Sequence, residues 1–404
     1  MHNYTRSNVA LGALVAAAVL AAAPAALAAE ASERARELAQ KYLLADTHID
    51  VPYRLHNHWE DVTAATEQGE FDEPRARAGG LDLPFMSIYT PAKLEADGGA
   101  WELANQLIDA VEAMVARAPE SFTIVATPDE AVAAKAAGKI GLALGMENGS
   151  PLEGKLENVG FFRDRGISYI TLAHSLANHL SDSSYDKARP NDGLSDFGHQ
   201  VVAEMNRLGV MVDVSHLSDK AFYDVLEASQ VPVIASHSSA RHFTPGFERN
   251  MDDDMIRALA SNGGLVMINF GSSFLTADAR GWYDDFNAAR DAWTEAASEP
   301  PSQEDTRAFF NDYRERKPFP FANVEQTVAH FVHVIDLVGV DYVGIGSDYD
   351  GVGDSLPEGL KDVSTYPVLV DALLEKGYSE EDIAKVLGGN LIRVWGEIVD
   401  AASA

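Results

Sequence analysis

The chain has no cysteine among its 404 residues, which excludes any disulfide and any lipidated cysteine behind a leader segment. Positive charge is scarce too: 31 Lys and Arg stand against 62 Asp and Glu, for a formal net charge of -31. That balance argues against nucleic acid and anionic membrane as partners and describes a solvated acidic surface that aids solubility. No Pro/Ser-rich linker divides the chain, and no internal repeat or low-complexity tract follows the N-terminus. Gly344-Ile-Gly346 does not open a helix with further glycines, so it is no phosphate-binding fingerprint; close packing is its simpler use. A single long apolar run exists, Leu11 to Leu20, preceded by one cation, Arg6, and followed by Ala26-Leu27-Ala28. This is the pattern of a secretory signal peptide over residues 1–28, with a retained membrane anchor as the rival reading. Pro24 and the lack of a stop-transfer cluster favour removal. The expectation is a periplasmic or secreted bacterial protein that begins near Ala29, with no membrane contact after cleavage.

Eight short apolar runs occupy the rest: Tyr42 to Asp50, Leu81 to Ile88, Lys139 to Glu147, Ile167 to His174, Val210 to His216, Val231 to His237, Gly264 to Phe270 and Tyr342 to Asp348. They are short and rich in β-branched or aromatic residues, as buried strands are. Helical spacing of apolar residues fills most gaps, over Trp101 to Ala118, Phe197 to Leu208, Asp219 to Ser229, Asp252 to Ala260 and Val324 to Leu337. Eight strand–helix units predict an α/β fold, a (β/α)8 TIM barrel, with an open doubly wound sheet as the alternative. The expected organisation is one domain over 29–404 with a long insertion at 271–323, which in a barrel lies on the catalytic face and either roofs the site or makes a dimer contact. The Ser-, Asp- and Asn-rich segment Asp182 to Asp196 reads as a mobile or ligand-lining loop.

Five of the runs end on His, Asp or Glu in settings suited to a metal ion. Alternate residues of a strand share a face, so His48 and Asp50 project together from one strand end. Glu147, His216, His237 and Asp348 end others. A lone buried histidine is usually a hydrogen-bonded core residue, but ionisable groups ending several apolar strands are more economically explained by one metal site. Two imidazoles with Asp50 and Glu147 make a mixed N/O donor set suited to Zn2+, with Mn2+ or Co2+ as alternatives. His56, His58, His179, His199, His330 and His333 stay outside this site.

His48-Ile-Asp50, Gly145-Met-Glu147-Asn-Gly, Leu172-Ala-His174-Ser, Asp213-Val-Ser-His216, Ser236-His237-Ser-Ser-Ala and Gly344-Ile-Gly-Ser-Asp348-Tyr-Asp-Gly together resemble the membrane (renal-type) dipeptidases, from about residue 38 to 395. The resemblance implies a binuclear zinc barrel in which His48 and Asp50 hold one ion, His216 and His237 the other, and Glu147 bridges them. It also implies that Asp348 transfers protons, that His174 polarises the scissile carbonyl and that Arg249 grips the substrate's terminal carboxylate. Each role has a bland rival: Asp348 as a helix cap, His174 as loop lining, Arg249 as a surface residue paired with Asp252 to Asp254. Two departures stand out. Animal members are lipid-anchored, disulfide-linked dimers, so a homodimer here has to rest on surface packing without disulfides. The family pattern also has Tyr where this chain has Gly271.

The expected activity is hydrolysis of dipeptides, including those with a D-residue at the C-terminal position, by water activated between two zinc ions. An amidohydrolase-type enzyme acting on N-acyl amino acids or other small amides and esters is the alternative. Such enzymes often bridge their metals with a modified Lys, whereas the run ending at His174 has no Lys. A non-catalytic metal- or peptide-binding protein is a third reading, which Asp348 disfavours because binding alone needs no proton shuttle.

Overall fold

Parallel strands buried on both faces are mostly apolar, and here the exceptions include Asp46, Thr47 and His48 of the first strand and the terminal Glu147 and Asp213 of two others. The computed structural model describes residues 31–297 and 299–402. Its strands are β1 (Leu44–Ile49), β2 (Leu81–Tyr89), β3 (Phe122–Ile124), β4 (Ile140–Glu147), β5 (Ile167–Thr171), β6 (Met211–Asp213), β7 (Ile234–Ala235), β8 (Leu265–Ile268) and β9 (Val343–Ile345). All pair in parallel in the order β1-β2-β4-β5-β6-β7-β8-β9, while β3 adds to the side of β4. The ring is brought nearly closed beyond the ends of β9 and β1, where Asp348 N–H donates to the His48 carbonyl at 3.1 Å and Asp50 N–H to the Tyr349 carbonyl at 2.9 Å. The (β/α)8 barrel is therefore the architecture, and the open sheet is not.

Each of the eight runs contains one barrel strand, and β3 is the addition that the runs did not include. Three strands are much shorter than their runs, among them Val343–Ile345 within Tyr342 to Asp348. Of Val231 to His237 only Ile234–Ala235 pairs as strand, and of Val210 to His216 only Met211–Asp213. The residues after them leave the ladder, and that is where the polar groups sit. The helices fall within a few residues of expectation, at Ala100–Arg117, Asp196–Leu208, Asp219–Ala228, Asp253–Ser261 and Val324–Val338.

Alternation along the strands separates two cores. Leu83, Phe85, Ala143, Tyr169, Met211, Ile234, Leu265 and Met267 share one cluster with Leu391, Val394 and Trp395 of the C-terminal helix Asn390–Ala402. Trp395 meets Phe85 with ring centroids 5.5 Å apart, and Phe85 in turn stacks on Tyr169 at 5.7 Å. The alternate residues, such as Met86, Ile88, Val266 and Ile268, pack with the surrounding helices. Gly145 makes room within the first cluster, since a Cβ there would stand 2.0 Å from Cζ of Tyr169. That space lets the Tyr169 ring lie across β4 and carry its hydroxyl to the histidine at the end of β1.

Segment 271–323 folds as helices Ala277–Ala296 and Gln303–Arg316 after a short turn of helix at Ser272–Leu275. It has an aromatic core of its own, Ala279, Trp282, Phe286 and Phe319, with Phe309, Phe310 and Tyr313 against it. Among the described residues no helix is long and apolar enough to cross a membrane. The expected signal peptide, residues 1–28, lies outside the described residues.

Candidate metal centre

The C-terminal ends of the barrel strands collect His48, Asp50, Glu147, His174, His216, His237 and Asp348 in one place. Glu147 is the hub. Its Oε1 lies 3.1 Å from His216 Nε2, 3.4 Å from His237 Nε2 and 3.5 Å from His174 Nε2, while Oε2 lies 3.5 Å from His48 Nε2. His48 Nε2 is also 3.5 Å from Asp50 Oδ2, as the alternation of the first run predicts. His48, Asp50 and Asp348 form one compact group of donors, and Glu147, His174 and His216 another; His237 joins His48 and Glu147 in a third. His48, Glu147 and His237 are almost fully buried, and Asp50, His216 and Asp348 nearly so.

The surroundings fix which nitrogen of two imidazoles faces inward. Tyr169 Oη donates to the Thr47 carbonyl at 3.0 Å, so at 2.7 Å from His48 Nδ1 it must accept that N–H. The Ser236 hydroxyl donates to Asp213 Oδ2 at 2.7 Å, so it accepts the N–H of His237 Nδ1 at 2.7 Å. Both rings therefore turn an Nε2 lone pair to the centre, the arrangement by which outer hydrogen bonds orient metal-binding histidines. Asp213 is itself anchored by Thr171 Oγ1 and the backbone N–H groups of Ser215 and Ser236.

These atoms fit a cation. His216 Nε2 and His237 Nε2 stand 2.9 Å apart, beside a carboxylate oxygen. His48 Nε2 and Asp50 Oδ1 are buried with no hydrogen-bond partner among the described residues. Converging lone pairs repel and orphaned buried polar atoms are costly, but a divalent ion satisfies both. Burial, and then the neighbouring Arg249 charge, hold the His216 imidazole well below its ordinary pKa. Burial above all, with the nearby Arg249 charge acting in the same direction, does the same to His237, keeping both rings in the neutral form that ligates. For Glu147, burial opposes ionisation, yet the surrounding imidazoles outweigh it and hold the carboxyl well below the usual range.

Asp348 takes a left-handed backbone, φ 63°, and His216 likewise, φ 70°. Asp tolerates this region; for histidine it costs on the order of 1–2 kcal/mol and turns the ring back over Glu147. No helix follows Asp348 directly, so the capping alternative is not met. Its Oδ2 instead accepts a hydrogen bond from Asn269 Nδ2 at 2.8 Å, and Asn269 Oδ1 is held by Gly271 N–H at 2.7 Å. Burial, then the Asp50 and Glu147 charges, push its carboxyl well above the ordinary value, a bias that bound cations would oppose.

A cavity of about 860 Å³ opens over these groups. Asp50, Glu147, His174, His216 and Asp348 line its floor; Tyr185 of the Ser-rich loop and Tyr283, Asn287 and Arg290 of the insertion line its walls. The insertion thus stands over the site, and the loop at 182–196 reaches the cavity through Tyr185. Asp182 pins that loop, accepting Asn191 N–H at 3.0 Å and Gly193 N–H at 2.8 Å, while the Ser183 hydroxyl donates to the His174 carbonyl. Arg249 is no surface arginine. It is 3 % exposed, with Nη1 on Ser238 Oγ at 2.7 Å, Nη2 on the His237 carbonyl at 2.9 Å and Nε unpartnered among the described residues. At Gly271 a Cβ would stand 2.8 Å from Val352 and 2.9 Å from Phe274, so the space for a side chain there is already taken.

His56 and His58 are exposed, as expected of residues outside the centre. Sequence reasoning passed over Tyr169, Ser236, Asp213 and Asn269. Asp213, a carboxylate within an apolar run, carried a visible signal; a strand tyrosine carries none, because it reads as core.

A parallel barrel whose strand ends aim imidazoles and carboxylates at one point under a lined cavity is the frame of a metal-dependent hydrolase. Residues 32–404 match the family described as membrane dipeptidase, peptidase family M19, and the chain belongs to that family. It is a hydrolase of the metallo-dipeptidase class. Mouse dipeptidase 3 is 32% identical over 376 residues, which cover 91% of this chain and 66% of the mouse protein. The crystal structure of the probable dipeptidase PvdM from Pseudomonas aeruginosa superposes with a TM-score of 0.79 at 26% identity, covering 91% of this chain and 98% of that one. A metallopeptidase from Rhodobacter sphaeroides, crystallised with a phosphinate mimic of L-Ala-D-Ala, gives 0.72 at 25% identity over 88% of this chain and 99% of its own.

Proposed function

We propose that this protein hydrolyses the peptide bond of free dipeptides, including L-Xaa-D-Xaa, with two Zn2+ per chain, Mn2+ or Co2+ serving as alternatives. His48 and Asp50 would hold one ion, His216 and His237 the other, and Glu147 both. When bound, the ions supply the Lewis acidity that makes water nucleophilic near neutral pH. The observation that carries the reading is Glu147, whose Oε2 faces His48 while its Oε1 faces His216 and His237.

The chain's own groups then divide the work. Asp348, held by Asn269 at the cavity floor, takes the proton from the attacking water and returns it to the leaving amine. His174, with its Nε2 toward Glu147 and its ring against the cavity, donates to the scissile carbonyl oxygen as charge develops there. Arg249, whose Nε is unpartnered, attracts the substrate's terminal carboxylate. The substrate would meet Tyr283, Asn287 and Arg290 at the other wall. The place of action is the periplasm or the medium, on the evidence of residues 1–28 alone.

The test compares dipeptides, dipeptide amides and N-acyl amino acids, with metal removed and restored. Free dipeptides should be the preferred class, cleaved only with metal. Arg249→Ala should weaken kcat/KM for them by about 2 to 4 kcal/mol, the scale for losing one partner of a desolvated charge pair, and leave amides little changed. Preference for N-acyl amino acids, or equal losses on acid and amide, would overturn the reading or the arginine's role respectively.

A further inference from the structure

A second cluster of metal-ligating side chains lies away from the cavity. His242 stands in the turn Arg241–Phe243 after β7, Asp253 begins the helix Asp253–Ser261, and His333 projects from the helix Val324–Val338. One ligand atom from each falls within 4.8 Å of the others. His333 Nε2 is 2.8 Å from Asp253 Oδ1. The two imidazoles lie face to face, centroids 4.5 Å apart and planes at 25°. His48 and His237 in the interior centre show the same disposition, at 3.7 Å and 24°.

Hydrogen bonding does not explain this pair as it explains the neighbouring His330. That ring, one turn before His333, is fully engaged: Nδ1 accepts the Ala240 N–H and Nε2 donates to the Leu275 carbonyl, both at 3.0 Å. The His242 ring nitrogens make no hydrogen bond among the described residues, and its ring is solvent-exposed. The neighbouring Arg241 is directed to Asp219 at 2.8 Å and lies 3.9 Å from Asp252, and Arg257 pairs with Asp254 at 3.0 Å, so Asp253 is the carboxylate that faces the two imidazoles.

We propose that His242, Asp253 and His333 form a further binding site for a borderline divalent transition-metal ion, Zn2+ first among them. Two imidazoles and one carboxylate with a position open to water select such ions over Mg2+ or Ca2+. The ligands come from three separate elements, so an ion there ties the turn after β7 to the helix that follows the insertion. The partly exposed ligands must be ordered on binding, so this site fills after the interior centre.

Full-length parent, His242→Ala, His333→Ala and Asp253→Asn are dialysed against rising free Zn2+, and bound zinc is counted per chain. The parent should gain one more ion than each variant at high zinc. Its melting temperature should climb further with zinc than theirs, and all four should hydrolyse dipeptide equally at the zinc level that fills only the interior centre. The one-ion difference should persist when Glu147→Gln is added to both parent and His242→Ala, which separates this site from the reading of the interior centre. Replacing zinc by Mg2+ should abolish the difference. Equal zinc counts for parent and His242→Ala at every concentration would falsify the proposal, and His242, on an exposed turn, can be replaced without disturbing the core.

Discussion

The floor of the cavity and its far wall are built in opposite ways. The floor gathers residues from the ends of six strands, most of them nearly buried and several held by a second set of groups: Tyr169 on His48, Ser236 on His237, Asn269 on Asp348. The wall formed by helix Ala277–Ala296 belongs to a segment with its own aromatic cluster, in which Trp282 meets Phe319 at 5.1 Å and Arg314 lies 5.5 to 5.6 Å from Phe310, Phe319 and Phe321. The candidate metal-binding groups are placed where the backbone is tied by a nearly closed ladder. The wall proposed to meet substrate stands on an element that packs around its own aromatic cluster, outside that ladder.

Substitutions on the two sides should therefore separate metal loading from substrate recognition. Glu147→Gln should have the largest effect, lowering hydrolysis beyond the roughly 10²- to 10⁴-fold that a general acid or base contributes, because an amide is a poorer link between two cations. Metal analysis of the purified variant should show the accompanying loss of bound ions; full occupancy with full activity would remove Glu147 from the centre. Asp348→Asn should come next, with kcat down roughly 10²-fold or more at unchanged metal content, since proton transfer is lost and ligation is not.

Tyr169→Phe keeps the ring across Gly145 and removes the hydroxyl that accepts the His48 Nδ1–H and donates to the Thr47 carbonyl. Metal affinity should fall by roughly 10- to 100-fold, and activity should return on adding zinc. Failure of zinc to restore the rate would mean that the hydroxyl does more than orient the imidazole. The smallest effect is expected on the wall side. Trp282→Ala removes a buried indole, a change that typically costs about 3–5 kcal/mol where packing is complete, but here the loss should be confined to the insertion. The expected result is a fall in dipeptide kcat/KM of about tenfold, ~1.4 kcal/mol, with metal content and the main melting transition unchanged. A loss of metal in this variant would break the distinction between the two regions.

The sequence by itself determined the barrel, because strands buried on both faces are mostly apolar and such short runs, alternating with helical patterns, are visible without a structure. It also showed His48, Asp50, Glu147, His216, His237 and Asp348 as polar ends of those runs, since charge beside an apolar strand needs a reason. It did not show β3, whose three residues are too short for a pattern, nor the lengths of β6 and β7, where the ladder stops before the apolar run does. Only the tertiary structure decided that His174 and His237 meet over one oxygen of Glu147, that Tyr169 and Ser236 set the histidine tautomers, and that Arg249 is buried and not paired with the aspartates that follow it. Apart from the adjacent pair Ser236 and His237, those relations join residues well separated in the chain, and a hydrogen bond of 2.7 Å leaves no trace in local composition. His242, Asp253 and His333 are the same kind of case: unremarkable singly, they become a donor set only because a turn, a helix start and a helix face converge.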